Sequence, residues 1–255
     1  MPRIARIKSR SGIYHVMMRG VNKQIIFEEE EDKKRFFETL RKYKVKCNYE
    51  LYSYCFMDNH VHLLMRECEE TISNAIKKIS SSYVYWYNSK YGRNGHLFQD
   101  RFKSEAVEDQ RYFLTVLRYI HQNPLKAGLT KSVFDSEWTS MHEYTSKPLI
   151  IDTEFALRLF SADPCKGLQL FIDFMKKIDE HESGYLDDIE KIRVSDKDIK
   201  DYLMGLGIKN VYELQQMKKV DRDKLIVELK MINGVSIRQL SRLTGISKSV
   251  LARVR

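Results

Sequence analysis

The segment NYELYSYCFMDNHVHLLM, residues 48–65, is the part of the sequence that most restricts the fold. Its first half alternates tyrosines with small or apolar residues, and this period of two predicts a β-strand. Asp58 and Asn59 are typical of a tight turn. The stretch HVHLLM, residues 60–65, is then the returning strand of a hairpin, so the fold should contain an antiparallel sheet.

The segments on either side of the hairpin predict the rest of that sheet. A first strand is expected over 13–21, helices over about 30–46 and 70–91, and a further strand over about 102–107. The order strand, helix, strand, strand, helix, strand is that of a split βαβ, ferredoxin-like sheet, so the predicted fold class is α+β. A third helix should span about 109–122 and end at Asn123, because the residue before a proline disfavours helical backbone.

After about residue 147 the pattern predicts helices alone, near 152–160, 165–180, 195–206, 210–217 and 221–232. At the end, Ser236 and Ser247 are suited to N-caps, and Gly245 separates two short amphipathic segments. This spacing predicts a helix-turn-helix over about 236–255, with residues 248–255 as the recognition helix, although any short helical hairpin could imitate it. We therefore predict a sheet domain over 1–147, a helical linker over 148–194 and a helical DNA-binding domain over 195–255.

Charge distribution indicates a polyanionic partner. The chain of 255 residues has a net charge of +9, yet no Asp or Glu precedes Glu28 and none follows Met231. Basic charge that only aids solubility is the alternative, but two acid-free ends favour nucleic acid. The candidate DNA contacts are Arg3, Arg6, Lys8, Arg10, Arg19, Arg101, Lys103, Arg238, Arg242, Lys248 and Arg253.

Location is predicted from what the sequence lacks. No run of about eighteen apolar residues occurs, so no membrane span is expected. The four cysteines form no C-x-x-C pair, which suits a reducing cytoplasm.

Two side-chain pairs carry the candidate chemistry. His60 and His62 point to the same face of a strand, where both imidazoles can bind one ion, while Val61 points to the opposite face. Two structural histidines remain the alternative on spacing alone. Tyr119 and Asn123 are four residues apart and share a helical face. In one interpretation Tyr119 is a nucleophile and Asn123 is an oxygen ligand of the ion. In the other, Tyr119 is a core aromatic residue and Asn123 ends the helix.

Three ordered motifs give these residues a common interpretation. MDNHVHLL at 57–64, GHLFQDRFKS at 95–104 and YIHQNPLKAGL at 119–129 together resemble the single-tyrosine transposases of the HUH nuclease superfamily, and most closely the REP-associated tyrosine transposases. The resemblance covers roughly residues 10–147. Asp58 departs from it, because the family commonly has proline there.

The resemblance implies a role for each matching residue. His60, His62 and Asn123 would bind one divalent ion, Mg²⁺ or Mn²⁺, and Tyr119 would be the nucleophile that attacks single-stranded DNA. The products would be a 5′-phosphotyrosine and a free 3′-OH, with strand rejoining by transesterification. His121 lies on another helical face and is given no such role.

The implied partner is DNA that is single-stranded or folded into hairpins at palindromic repeat ends, and family members differ on whether a homodimer shares the site. Tyr83, Tyr85, Trp86 and Tyr87 could stack on bases, although their spacing better fits a buried helical face. Two other functions remain open. One is an HUH nickase for replication or conjugation, and the other is a non-catalytic DNA-binding regulator that uses the helix-turn-helix.

Overall fold

The computed structural model describes residues 7–177, 196–208, 213–232, 235 and 237–254. The chain divides into two compact units, residues 1–182 and 183–255. Arg3 and Arg6, two of the predicted DNA contacts, lie outside the described residues.

A four-stranded antiparallel sheet forms the centre of the first unit. Its strands are β1 (Ile13–Arg19), β2 (Glu50–Met57), β3 (His60–Arg66) and β4 (Lys103–Ala106), in the order β2-β3-β1-β4. This order, with β3 inserted between β1 and β2, confirms the predicted mixed class and the split βαβ arrangement. The hairpin β2-β3 turns at residues 58–59, as its sequence predicted.

Helices α1 (Glu30–Cys47) and α2 (Ile72–Lys90) pack together against an aromatic cluster. The Phe36 ring lies edge-on to Phe56 of β2 at 5.3 Å and to Tyr83 of α2 at 5.1 Å between centroids. Val61 is fully buried and is paired with Phe56 across the hairpin, so it faces this side of the sheet. The two histidines that flank Val61 therefore point to the other side.

Asp32 is a buried carboxylate that joins the start of α1 to the end of α2. Its Oδ2 accepts the backbone N–H groups of Glu28 at 2.8 Å and Glu29 at 2.9 Å, and also the Tyr91 hydroxyl at 2.8 Å. Its Oδ1 lies 2.7 Å from the Lys90 ammonium nitrogen. Burial acts to raise the pKa of Asp32, but the hydrogen bonds from Lys90 and from the backbone outweigh burial and lower it.

Helix α3 (Gln110–Lys126) packs on β2 and β3 from the side opposite α1 and α2. The prediction that it ends at Asn123 is wrong, because Pro124 lies inside the helix. The turn after the proline is closed by Ala127 N–H to the Asn123 carbonyl at 3.0 Å and by Leu129 N–H to the Pro124 carbonyl at 2.9 Å. Asn123 and Pro124 are also buried, so packing outweighs the local preference of a residue before proline.

Three further helices follow in the same unit, α4 (Met141–Thr145), α5 (Thr153–Arg158) and α6 (Pro164–Lys176). The sequence predicted the last two but not the single turn of α4. The buried Glu143 of α4 accepts the N–H groups of residues 149–151 and the Tyr54 hydroxyl. Gln122 of α3 donates to the carbonyls of Met175 at 2.8 Å and Lys177 at 2.9 Å. The division at residue 147 stays a prediction, but Phe155 of α5 packs on Tyr52 of β2, and α6 packs on α3.

The second unit contains only helices among its described residues. They are α7 (Asp196–Gly205), α8 (Glu213–Gln216), α9 (Lys219–Met231), α10 (Ile237–Thr244) and α11 (Lys248–Arg253). Gly245 has a φ of 69°, and Ser247 caps α11 by accepting Val250 N–H at 3.4 Å. Ser236, the other predicted cap, lies outside the described residues. Throughout the described parts of the chain, no helix combines the length and apolar character that a membrane span needs.

Replacing Asp32 with Asn should lower the free energy of unfolding at pH 7 by on the order of 2 kcal/mol, because a buried cap and a helix-to-helix ion pair are lost. The folded protein holds Asp32 at a lowered pKa, so the unfolded chain takes up this proton at a higher pH than the folded chain. Wild-type stability should therefore fall more steeply than that of Asp32→Asn from roughly pH 5 downwards.

Urea unfolding across this pH range measures both effects, with Glu38→Gln on the exposed face of α1 as the control. Equal acid dependence in wild type and Asp32→Asn would contradict the assigned role of Asp32.

Candidate active site

The pairing of β1 with β3 places the candidate metal ligands on one face of the sheet. His62 lies opposite Met17, and His60 lies opposite Arg19. Residues directly opposite in an antiparallel pair share a face, so the Arg19 side chain neighbours His60. The rings of His60 and His62 are 5.0 Å apart between centroids and perpendicular, and both are buried.

Helix α3 brings Tyr119 to this face. The Tyr119 ring is perpendicular to the His62 ring, with centroids 5.6 Å apart, and is buried. Asn123 lies one turn further along the same helix and is also buried. The structure therefore places the predicted nucleophile directly beside one of the two predicted metal-binding histidines. The Lys126 ammonium nitrogen lies 5.4 Å from the Tyr119 ring centroid, so a positive charge neighbours the phenol.

Each of the two histidines has a neighbour at its Nδ1 atom. His60 Nδ1 lies 2.6 Å from Asn59 Oδ1, and His62 Nδ1 lies 3.0 Å from Nε2 of a third histidine, His15. An oxygen acceptor at Nδ1 holds the proton on that nitrogen and leaves the lone pair on Nε2, which is how metal-binding imidazoles are commonly oriented. These contacts suit binding of an ion through Nε2 of both rings.

The donor set fits a divalent ion that keeps open positions. Within the described residues, no group of three or more His, Cys, Asp or Glu side chains is arranged to bind a metal ion. Two imidazoles and the amide oxygen of Asn123 would leave positions for substrate oxygens, and mixed nitrogen and oxygen ligands suit Mn²⁺ as well as Mg²⁺. The residues present are therefore compatible with the divalent ion predicted from the sequence.

His121, although it lies between Tyr119 and Asn123 in sequence, belongs to the core. Its Nδ1 lies 2.9 Å from the Leu117 carbonyl and its Nε2 lies 2.8 Å from Ser140 Oγ. Complete burial lowers its pKa to about 3, so the ring is neutral at physiological pH. It joins α3 to the segment that precedes α4.

Comparisons with known proteins show what this part of the chain is similar to. A family model described as "Transposase IS200 like" matches residues 8–123, which include the whole sheet and α3 as far as Asn123. Residues 8–123, a little under half of the chain, are therefore similar to the IS200-like transposases. A protein of Haemophilus influenzae with the provisional name REP-associated tyrosine transposase is 25% identical over 114 residues, which cover 39% of this chain and 65% of that protein.

A solved structure described as a REP-associated tyrosine transposase bound to a REP hairpin shares the fold of this sheet domain. The TM-score is 0.50 at 18% identity, and the match covers 58% of this chain and 88% of the other. The matched length exceeds that of the family model.

Asp58, where the transposase family commonly has proline, stabilises the hairpin in another way. Its carboxylate pairs with Lys33 of α1 at 2.9 Å. Its carbonyl accepts the N–H groups of Ile26 at 2.8 Å and Phe27 at 3.2 Å. The turn beside His60 is thus held by contacts to the preceding segment rather than by a proline ring.

The predicted DNA contacts are placed unevenly. Arg19 is half-buried beside His60, whereas the side chain of Arg238 is outside the described part of the structure. The exposed members of the set are Lys8, Arg10, Arg101, Lys103, Arg242, Lys248 and Arg253.

The aromatic residues of α2 separate into two groups. Tyr83 and Tyr87 are fully buried, which agrees with a core role, whereas Tyr85 is 82% exposed. Tyr85 borders a cavity of about 730 Å³ between α2 and residues 96–102, whose lining also includes Lys77 and Arg101. Trp86 is half-buried, with the Arg35 and Lys90 side chains over its ring, so Tyr85 is the most exposed of the four aromatics predicted as base-stacking candidates.

Sequence reasoning missed His15, Asn59 and Lys126, which all contact the predicted site residues. His15 is a polar residue inside the apolar strand IYHVMMR, which is a sequence signal. The signal indicates a site residue only when the pairing of β1 with β3 is known.

Proposed function

We propose that this protein is a DNA transposase that cleaves and rejoins single strands through a covalent bond to Tyr119. The observation that carries the proposal is the Tyr119 ring packed beside His62, on the sheet face that also carries His60. A matching family model over these same residues supports it.

The proposed cleavage step exchanges one ester for another. The Tyr119 phenolic oxygen attacks the phosphorus, the bond between phosphorus and the 3′ oxygen breaks, and the phenolic proton is transferred to that oxygen through solvent. The products are a 5′-phosphotyrosine and a free 3′-OH. Because the ester bond energy is retained, a second 3′-OH can reverse the step on another strand without a nucleotide cofactor.

The chain's own groups prepare this step. The Lys126 ammonium lies 5.4 Å from the Tyr119 ring centroid, so a positive charge is available beside the attacking phenol. His60, His62 and Asn123 would bind one divalent ion, which supplies charge neutralisation at a non-bridging phosphate oxygen. Arg19, which shares the face with His60, provides a further positive charge for the phosphodiester.

The proposed substrate is single-stranded or hairpin DNA. A flexible strand can bring its backbone to a largely buried tyrosine, whereas a regular duplex cannot. The exposed cations of the first unit and the open face of Tyr85 suit a backbone and an unpaired base. The solved relative that shares the fold was determined with a REP hairpin. A cytoplasmic location remains a prediction from the sequence.

Tyr119→Phe should abolish the covalent adduct, by at least about a thousandfold, while leaving DNA binding within about threefold, because only the attacking oxygen is removed. Denaturing gels of protein incubated with 5′- or 3′-labelled hairpins and Mn²⁺ measure the adduct and identify which DNA end is attached. Tyr43→Phe on α1 is the matched control. A normal amount of adduct in Tyr119→Phe would exclude this residue as the nucleophile.

His60→Ala should lower Mn²⁺-dependent cleavage by about a hundredfold or more, because one of few metal ligands is lost. Cleavage is followed over a titration of Mn²⁺, with the exposed His96→Ala as control. If the two alanine variants respond to Mn²⁺ alike, His60 has no metal role.

A second candidate function is a regulator that binds DNA without cutting it. Its support is the capped α11 helix, which exposes Lys248 and Arg253. If the protein is a transposase, Lys248 and Arg253 should affect binding to the duplex DNA that flanks the hairpin, but they should not affect strand cleavage.

The double variant Lys248→Glu with Arg253→Glu should bind duplex DNA at least about tenfold more weakly, with a salt dependence reduced by about two charges. Adduct formation on a short hairpin should remain unchanged. Lys219→Glu with Lys224→Glu, on α9, makes the same charge change and serves as control. Duplex binding by wild type with no adduct under any condition would favour the regulator.

A further inference from the structure

His15 is a buried histidine in the middle of the sheet. It lies on β1, is fully buried, and its Nε2 atom is 3.0 Å from Nδ1 of His62. Its ring centroid is 5.2 Å from that of His62 and 5.8 Å from that of Tyr119. An imidazole is costly to bury unless its nitrogens have polar neighbours, so its place in an otherwise apolar strand calls for an explanation.

A carboxylate lies on the other side of the His15 ring. Glu105 of β4 is paired with His15 in the strand register, and its Oε2 lies 3.8 Å from His15 Nδ1. The same carboxylate accepts the Tyr112 hydroxyl of α3 at 2.9 Å. Burial acts to raise the pKa of Glu105, but its His15 and Tyr112 neighbours outweigh burial and lower it, so the carboxylate is ionised at neutral pH.

Proton positions along this row follow from the charges. At 3.8 Å the Glu105 carboxylate is beyond hydrogen-bond distance of His15 Nδ1, so it acts through its negative charge, which favours the tautomer with the proton on Nδ1 and His15 Nε2 as an acceptor. His62 then donates from Nδ1, and its own lone pair is on Nε2. Such a row would set both the tautomer and the ring plane of His62.

We propose that His15 is a positioning residue for His62, which through the row Glu105–His15–His62 presents Nε2 of His62 to the divalent ion. This inference rests on the proposed function, because it explains how one proposed metal ligand is oriented. His15 is not itself assigned as a ligand, since its Nε2 is directed at His62. The corresponding neighbour of His60 is Asn59, so each of the two histidines has its own orienting group.

The matched variants are His15→Leu, which removes the acceptor, and His15→Gln, whose side-chain oxygen can accept from His62 Nδ1. Mn²⁺ affinity of the full chain without DNA is measured by the EPR signal of free Mn²⁺. His15→Leu should bind Mn²⁺ about 10–100-fold more weakly, and His15→Gln should remain within about threefold of wild type. Thermal unfolding without metal should show a modest loss in His15→Leu, because the buried His62 Nδ1 loses its acceptor, and a smaller loss in His15→Gln, which keeps one.

The tautomer of His62 provides a readout that needs neither metal nor DNA. Long-range ¹⁵N–¹H NMR correlations in the metal-free wild type should show His62 protonated at Nδ1, and His15→Leu should shift this equilibrium towards Nε2. A wild-type His62 protonated at Nε2 overturns the proposal, and so does wild-type Mn²⁺ affinity in His15→Leu or equally weak binding by both variants.

The tautomer measurement also separates this inference from the proposed function. A wild-type chain that forms no adduct, but whose His62 tautomer depends on His15, refutes the transposase chemistry and leaves the positioning role intact. If His15→Leu does not fold, the wild-type NMR spectrum and His15→Gln decide between the two outcomes.

Discussion

The candidate site depends on the register of β1 against β3. This pairing sets His62 opposite Met17 and His60 opposite Arg19, and it brings His15 to the same face. Side chains alternate along a strand, so a slip of one residue would turn both candidate ligands into the layer occupied by α1 and α2. The register is fixed from that opposite layer, where Val61 and its paired residues are completely buried. Packing on one face of the sheet therefore determines the chemistry on the other.

Helix α3 reaches the histidines because polar side chains in its core-facing turn have fixed partners. His121 contacts Ser140 and the Leu117 carbonyl, and Gln122 donates to two carbonyls at the end of α6. Buried polar groups are costly unless they are paired, so these contacts select one orientation of the helix. In that orientation Tyr119, two residues before His121, contacts His62.

Much of this arrangement could be predicted from the sequence. Period-two alternation and the turn at Asp58 and Asn59 predicted the hairpin, and helical periodicity predicted α1 and α2. Local rules failed where tertiary packing outweighs them, as at Pro124 inside α3. The single turn α4 is too short to show periodicity, and it forms around the buried carboxylate of Glu143. His15 could not be assigned a role because its partners, His62 and Glu105, are supplied by two other strands.

Gln122 has a consequence for where the sheet domain ends. The family match stops at Asn123, yet the side chain just before it is bound by the backbone of Met175 and Lys177. The helix that would become covalently joined to DNA is thus held in place by a segment about fifty residues later in the chain. A fragment cut at the end of the motif would contain every proposed reactive group but not the support that orients them. The positions of the reactive residues therefore do not define the smallest fragment of this protein that could act on DNA.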